Sequence, residues 1–411
     1  MKASIYLLSL TASTLGASLG TFYESGDGQK VLPGPFDEVV LNGQTFDASP
    51  AATSGFSLDL AEKRLVQMEG KDPVWITELE KIEARANGIR FFDITDTPTL
   101  GLLAKVQRSW TYPTPTAYTQ VTSVIKTLTT EGPRAMLEKF TSFRTRRRSS
   151  SYHEGQQSQK WLLSQIQRIT AETASPELQE LITINEFPHP WGQHTIIARI
   201  NGSNSAEEGI VVIGAHQDST NMWPFLAAPG ADDDGSGTVT ILESYRALLA
   251  AGFTPKRTVE FQWYSAEEGG LLGSQAVAKS YEAEGIQVYA MSQFDMTAWV
   301  KAGTREEIGV ITDYVDDMLT AFNKDLIDAY LSVPYVETKC GYACSDHASW
   351  RKAGYPAIFT IESSFAHANH ANIHTSHDRI DISPEFSFDH MLEFSKLAVA
   401  FAIELAGWET A

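Results

Sequence analysis

Histidine and carboxylate side chains recur in this chain in short clusters: His216-Gln217-Asp218, Asp232-Asp233-Asp234, Glu267-Glu268, Asp295, and His374 followed by Asp378. Imidazole and carboxylate without a thiolate nearby are the donor types of a catalytic zinc site. Three adjacent aspartates repel one another unless a cation relieves them. A lone His-x-Asp pair is usually structural, and a lone Glu-Glu is usually a solvated loop. Recurrence of such clusters at successive strand ends makes the structural reading hard to hold.

The elements that must position these residues follow from hydrophobic pattern. The short buried run at Ile210–Gly214 reads as a central parallel strand, and Thr258–Tyr264 and Ile286–Phe294 read as strands. His194–Ile200, Ile308–Thr312, Val333–Val336 and Ala357–Ile361 are further strands. Helical patterns cover Val121–Leu128, Ala135–Phe143, Ser158–Ile169, Gly235–Ala251, Leu271–Ala283, Asp316–Tyr330 and Ser387–Leu405. The alternation predicts one α/β domain over about 89–411, with a largely parallel, mixed sheet and helices on both faces. Open α/β sheets carry their sites beyond the carboxyl ends of the strands, where His216, Asp218, Glu267, Glu268 and Asp295 fall.

The N-terminus reads differently. Residues 1–20 combine Lys2, an apolar run from Ile5 to Leu10 and small residues at Ala17–Gly20, the layout of a secretory signal peptide. Residues 21–88 read as a removable prosegment with an uncertain boundary. Within it, Asp72-Pro73 predicts a helix start and Asn87-Gly88 its stop. Lys63-Arg64 is a possible processing point, and Arg146-Arg147-Arg148 reads as a solvated turn. Lys plus Arg is 32 and Asp plus Glu is 51, a net charge of −19. That excess disfavours nucleic acid or an anionic membrane as the main partner, and no membrane span is expected. The expected product is a secreted, extracellular monomer. Asn201-Gly202-Ser203 is a candidate glycosylation site.

The segments GAHQDST, APGADDDGSG, YSAEEGGLLGS, QFDMT, CGYACSDHASW and IHTSHD closely resemble the co-catalytic di-zinc aminopeptidases, above all secreted fungal leucine aminopeptidases and a bacterial leucyl aminopeptidase. The resemblance covers about residues 110–405. It implies two Zn²⁺ per chain bridged by Asp233, one completed by His216 and Asp295, the other by Glu268 and His374. It implies Glu267 as general base, Asp218 as the carboxylate that orients a ligand histidine, and Tyr342 as a phenol near the reaction intermediate. It also implies a cis Asp233–Asp234 peptide bond. The substrates would be peptides with a free N-terminus and a bulky apolar first residue such as Leu, cleaved by a water bridging the two metals.

Met296, Ile311, Phe359, Ile361, Phe365 and Ile373 match pocket-lining positions of the bacterial enzyme, with core packing as the alternative. Between Phe365 and His374 this chain is one residue longer than that pattern, so His367–Asn372 carry no assignment. Cys340 and Cys344 read as a disulfide in an exported chain, with a redox switch or free thiols as alternatives. So small a loop gains only about 2 kcal/mol of chain entropy, so the bond's expected role is to fix the Tyr342 loop. Two other readings of the chain stand beside the leading one: a glutaminyl cyclase or deacylase of the same fold, and a non-catalytic binding domain.

Overall fold

The computed structural model describes residues 59–409 apart from 69, 105–106, 149–152, 205–208 and 225, together with the short strands Tyr23–Glu24, Lys30–Val31, Glu38–Leu41 and Gln44–Asp47. The expected signal peptide lies outside the described residues.

The N-terminal segment contributes β1 (Lys63–Gln67), β2 (Val74–Thr77), α1 (Glu78–Ala86) and β3 (Phe92–Asp93). The helix expected from Asp72 begins later. Val74–Thr77 pairs antiparallel with β1, which takes Trp75 and Ile76 into a strand. Thr77 is the N-cap, and its side chain and that of Glu80 form a reciprocal capping box. The helix ends at Asn87, as the sequence indicated.

The main body contains β4 (Ile182–Phe187), β5 (Thr195–Ile200), β6 (Ile210–His216), β7 (Val259–Tyr264), β8 (Val288–Phe294), β9 (Ile308–Ile311), β10 (Tyr335–Thr338) and β11 (Ala357–Ile361). They form an eight-stranded sheet ordered β10-β9-β11-β8-β6-β7-β5-β4. The centre, β11-β8-β6-β7, is parallel. Antiparallel pairing enters toward both edges, between β7 and β5, between β5 and β4, and between β9 and β11. β6, β7 and β8 are buried along their whole length, as a sheet covered on both faces requires.

One face carries α2 (Tyr118–Ile125), α3 (Glu131–Phe140), α4 (His153–Thr173), α5 (Gly237–Ala250), α7 (Asp317–Tyr330) and α9 (Phe388–Ala406). They share the largest apolar core, which includes Ile213, Ile241, Leu248, Phe294, Phe394 and Phe401. The other face carries α6 (Leu272–Glu284) and α8 (His347–Lys352), which pack Val277, Tyr281 and Trp350 over Val212 and Met291. The fold is thus a mixed α/β domain with helices on both faces. Edge strand β4 was not anticipated; its alternating half-buried pattern is weak, and the apolar run at Thr195–Ile200 beside it dominates the signal. No helix among the described residues is long and apolar enough to cross a membrane.

Candidate active site

β6 ends on His216, and β8 is followed at once by Asp295. After β7 a short turn, Glu267–Gly269, carries Glu267 and Glu268. A wide turn, Ala231–Ser236, precedes α5 and carries Asp233; the Asp233–Asp234 peptide is cis. His374 comes from the loop after β11. Four non-glycine residues around this cleft have left-handed backbones: Ala266, Leu271, Met296 and His374, with φ of 58°, 62°, 56° and 57°. Such a backbone costs roughly 1–2 kcal/mol per residue, so the surrounding contacts must hold it.

Two donor groups result, His216/Asp233/Asp295 and Asp233/Glu268/His374, with ligand atoms in each lying within 4.8 Å of one another. Asp233 belongs to both: its Oδ1 is 3.1 Å from His216 Nε2, and its Oδ2 is 3.0 Å from His374 Nε2. His216 Nε2 is 3.6 Å from Asp295 Oδ1, and His374 Nε2 is 3.2 Å from Glu268 Oε2. Both ring nitrogens of His216, Asp295 Oδ1 and Glu268 Oε1 are buried without a hydrogen-bond partner among the described residues. Buried polar atoms left unpaired are costly. A cation in each group would answer His216 Nε2 and the carboxylate oxygens, His216 Nδ1 facing Asp218 instead; nitrogen and oxygen donors of this kind suit zinc, so the residues fit a metal pair.

Backbone hydrogen bonds hold the carboxylates in place. Asp218 accepts from the Glu267 and Glu268 amides at 3.0 and 3.3 Å, and its Oδ1 lies 3.4 Å from His216 Nδ1. It therefore couples the histidine to the glutamate turn. Asp234, whose side chain had no role in the sequence reading, accepts from the amides of His216, Gly237 and Met296 and so ties three of these loops together. Asp378 accepts from the Asp232 and Asp233 amides, and Ser345 donates to Asp295 at 2.6 Å. The first aspartate of the run, Asp232, is answered by Asn369. The mutual repulsion of Asp232–Asp234 is thus shared between amide donors and the donor groups.

Glu267 takes no part in either donor group. Burial foremost, and the charge of Glu268, push its carboxyl well above the usual carboxylate range against the pull of His216. A cation bound beside it acts in the opposite sense. Tyr342 faces the same cleft, and burial raises its phenol to about 12.

A cavity of about 750 Å³ runs from these groups to an apolar end lined by Met296, Phe359, Ile361, Phe365 and Ile373. Ile311 does not reach the cavity; it is fully buried behind this wall, in the same apolar cluster. Cys340 and Cys344 are joined by a disulfide, and they pack against that cluster on either side of Tyr342. Asn201 is half-buried, and its side-chain nitrogen donates to the Leu181 carbonyl at 3.0 Å.

The arginine run is not a solvated turn. Arg146 is fully buried, with its guanidinium on the carbonyls of Gln217, Pro229 and Gly230 and over the Phe140 ring. It fastens the loop after His216 to the loop before Asp233. Arg147 and Arg148 are 5% and 9% exposed and turn toward Glu78 of α1. Nothing in the local sequence signals this, because the partners are distant carbonyls and one carboxylate 70 residues away. Arg64, the possible processing point, is bonded to buried Asp93 at 2.8 Å.

A parallel-centred sheet with two carboxylate-bridged donor groups at its strand ends defines the class of metal-dependent hydrolases. A family model described as "Peptidase family M28" matches residues 195–398. Leucine aminopeptidase 1 of Chaetomium globosum is 46% identical over 97% of this chain and 95% of its own length. The LapA aminopeptidase structure from Legionella pneumophila superposes with a TM-score of 0.73 at 30% identity, covering 87% of this chain and 97% of that one. An Acidobacteriales glutaminyl cyclase, 15% identical over 73% of this chain and 99% of its own, shares the fold with a TM-score of 0.52. The chain belongs to peptidase family M28 and is a metallo-aminopeptidase of that family.

Proposed function

We propose that this chain is the precursor of an exported two-zinc exopeptidase that removes bulky apolar residues, Leu among them, from the N-terminus of peptides. The observation that carries the reading is the pair of donor groups sharing Asp233, with a separate carboxylate, Glu267, beside them. His216 and Asp295 would complete one zinc site, and Glu268 and His374 the other. When bound, the two ions would polarise a water and the scissile carbonyl.

The chain's own residues do the rest. Glu267, free of either donor group, takes the proton of the attacking water and passes it to the departing amine. Asp218 holds the Glu267–Glu268 turn and the His216 ring in register. Tyr342 offers its phenolic hydrogen, still bound at neutral pH, to the developing oxyanion. The apolar end seats the first side chain, and the free substrate amine would sit beside one of the two ions. That restricts cleavage to the N-terminal bond.

The full ligand set and base oppose a non-catalytic role, and the long apolar end opposes a site for cyclising a polar glutaminyl terminus. Hydrolysis of leucine amide but not N-acetyl-leucine amide is the expected result. The reverse preference would assign a deacylase, and ammonia release from N-terminal glutamine with ring closure would assign a cyclase.

Residues 21–88 act in this reading as a prosegment after a signal peptide at 1–20. Arg85 of α1 donates to Glu268 Oε2 at 3.1 Å, the oxygen that faces His374. The exposed turn that follows carries Ile89 and Arg90, which with Phe91 line the cavity mouth. The segment thus sets a cation, Arg85, against a metal ligand beside a mouth lined by the residues that follow it.

A further inference from the structure

A second cavity, about 300 Å³, adjoins the first and shares Arg85, Phe91 and Glu268 with it. None of these shared residues belongs to the apolar end. One wall is the N-terminal segment, through Glu78, Lys81 and Ile82; the opposite wall includes Arg147, Arg148 and Thr220. A single carboxylate oxygen, Glu78 Oε1, sits 3.3 Å from Arg148 and 3.6 Å from Arg147, and Lys81 holds the other oxygen at 2.6 Å. The arginines are anchored in the catalytic body. Arg147 reaches Thr220 Oγ1 at 3.3 Å, and a methyl group at Gly269 would come within 2.9 Å of the Arg148 guanidinium carbon. Arg148 therefore lies on the turn that carries Glu267 and Glu268.

Two guanidinium groups side by side, in surroundings this dry, need an anion. Burial first, and then the charge of Arg148, push Arg147 down to about 10. Its Nε is buried without a hydrogen-bond partner among the described residues. Glu78 is the carboxylate that meets this need in the full chain, and removal of residues up to 88 takes Glu78 and Lys81 away together. Planar guanidinium pairs favour carboxylates.

We propose that Arg147 and Arg148 form a carboxylate-binding subsite on the leaving-group side of the cleft, filled by Glu78 until the N-terminal segment departs. The ligand class is a short peptide whose carboxylate, at its C-terminus or on an acidic side chain, follows the scissile bond. With the first residue in the apolar end, the remainder of the peptide leaves past Glu268 toward the two arginines. This inference rests on the aminopeptidase reading and adds to it a preference for short peptides with a free carboxylate.

The test uses the full chain, folded and zinc-loaded, with a specific-protease site placed at the exposed Asn87–Gly88 turn. Three substrates are compared before and after cutting: Leu-Gly-Gly, its C-terminal amide, and Leu-Gly-Asp amide. After cutting and removal of the segment, the free acid is expected to exceed the amide about tenfold in kcat/KM, through KM. In the uncut chain the ratio stays near one. Arg147→Gln and Arg148→Gln should each shrink the ratio toward one, and the lysine substitutions should retain part of it. A gain confined to the free acid assigns the subsite to the peptide C-terminus; an equal gain for Leu-Gly-Asp amide assigns it to either carboxylate. Equal kcat/KM for acid and amide after cutting overturns the proposal, and needs no variant to fold. So does a preference that survives both glutamine substitutions. Hydrolysis of none of the three substrates would overturn the aminopeptidase reading itself.

Discussion

The catalytic cleft and the N-terminal segment covering it are held together by opposite means. Around the cleft, β6, β7 and β8 are buried throughout, and the site carboxylates are fixed by backbone amides: Asp218 by two, Asp234 by three, Asp378 by two. The segment, beyond the antiparallel pairing of β1 with β3, is held by charges. Arg64 and Lys81 share Asp93, Lys81 pairs with Glu78, Glu78 meets Arg147 and Arg148, and Arg85 meets Glu268. Amide donors are part of the fold and cannot leave it. Buried ion pairs cost desolvation on both partners; burial pushes Lys81 down even beside Glu78 and Asp93. They specify where the segment sits while adding little net stability, as the proposed prosegment role requires.

The widest gap between the two regions should appear in Glu267 and Glu268. Glu267→Gln is expected to lower kcat by about 10²–10⁴ with zinc content and KM little changed, because only basicity is lost. Glu268→Gln should instead lose zinc, and metal analysis of both proteins separates the roles. Near-normal turnover in Glu267→Gln, or loss of its zinc, would mean that the two assignments are wrong.

Next in size is Asp218→Asn, which keeps the shape and weakens the acceptor for the Glu267 and Glu268 amides. A fall of about 10–100-fold in zinc affinity or activity is expected, as for other carboxylates that orient a ligand histidine. Competition against a chelator gives the affinity directly.

Arg85→Ala tests the segment rather than the cleft. In the uncut chain it should raise leucine amide hydrolysis by up to roughly tenfold, the worth of one charged hydrogen bond. It should have no effect once the segment has been cut away. No change in the uncut chain would remove Arg85 as the inhibitory contact.

The smallest effect is one of pH. Burial alone would raise the Glu78 and Asp93 carboxyls, but Lys81 foremost, with Arg148 and Arg147 at Glu78 and Arg64 at Asp93, holds both at about 2. A folded value below the ordinary one contributes stability above about pH 4, lost progressively as the pH falls toward 2. Hydrogen-exchange protection at Leu65 and Val66 should therefore fall in that window before protection at Val211–Ile213 does. Simultaneous loss would place both regions in one cooperative unit.

This same contrast explains what could be read from the sequence. The buried strands announce themselves as apolar runs, and the loops after them bring His216, Asp233, Glu268, Asp295 and His374 within reach of one another. The parallel core was legible from those runs, and His216, Glu268 and Asp295 from their place at strand ends; Asp233 and His374 lie farther along their loops, and the family resemblance supplied them. Arg146–Arg148 were misread because their partners are carbonyls at Gln217 and Pro229 and a carboxylate at Glu78, none of them local. The start of α1 was misplaced for a related reason: pairing with β1 converts Val74–Thr77 into a strand, and only that long-range contact decides it. Ile311 shows the limit for the pocket, since lining and backing positions of one apolar wall carry the same residue types.

The central claim is a pair of zinc ions sharing Asp233. Titration of the metal-free full chain with zinc, cut at Asn87–Gly88 and followed by bound metal and by leucine amide hydrolysis together, tests it most directly. Two ions are expected to bind per chain, with full activity only when both are present. Full activity at one zinc per chain, with no second ion bound, would contradict it.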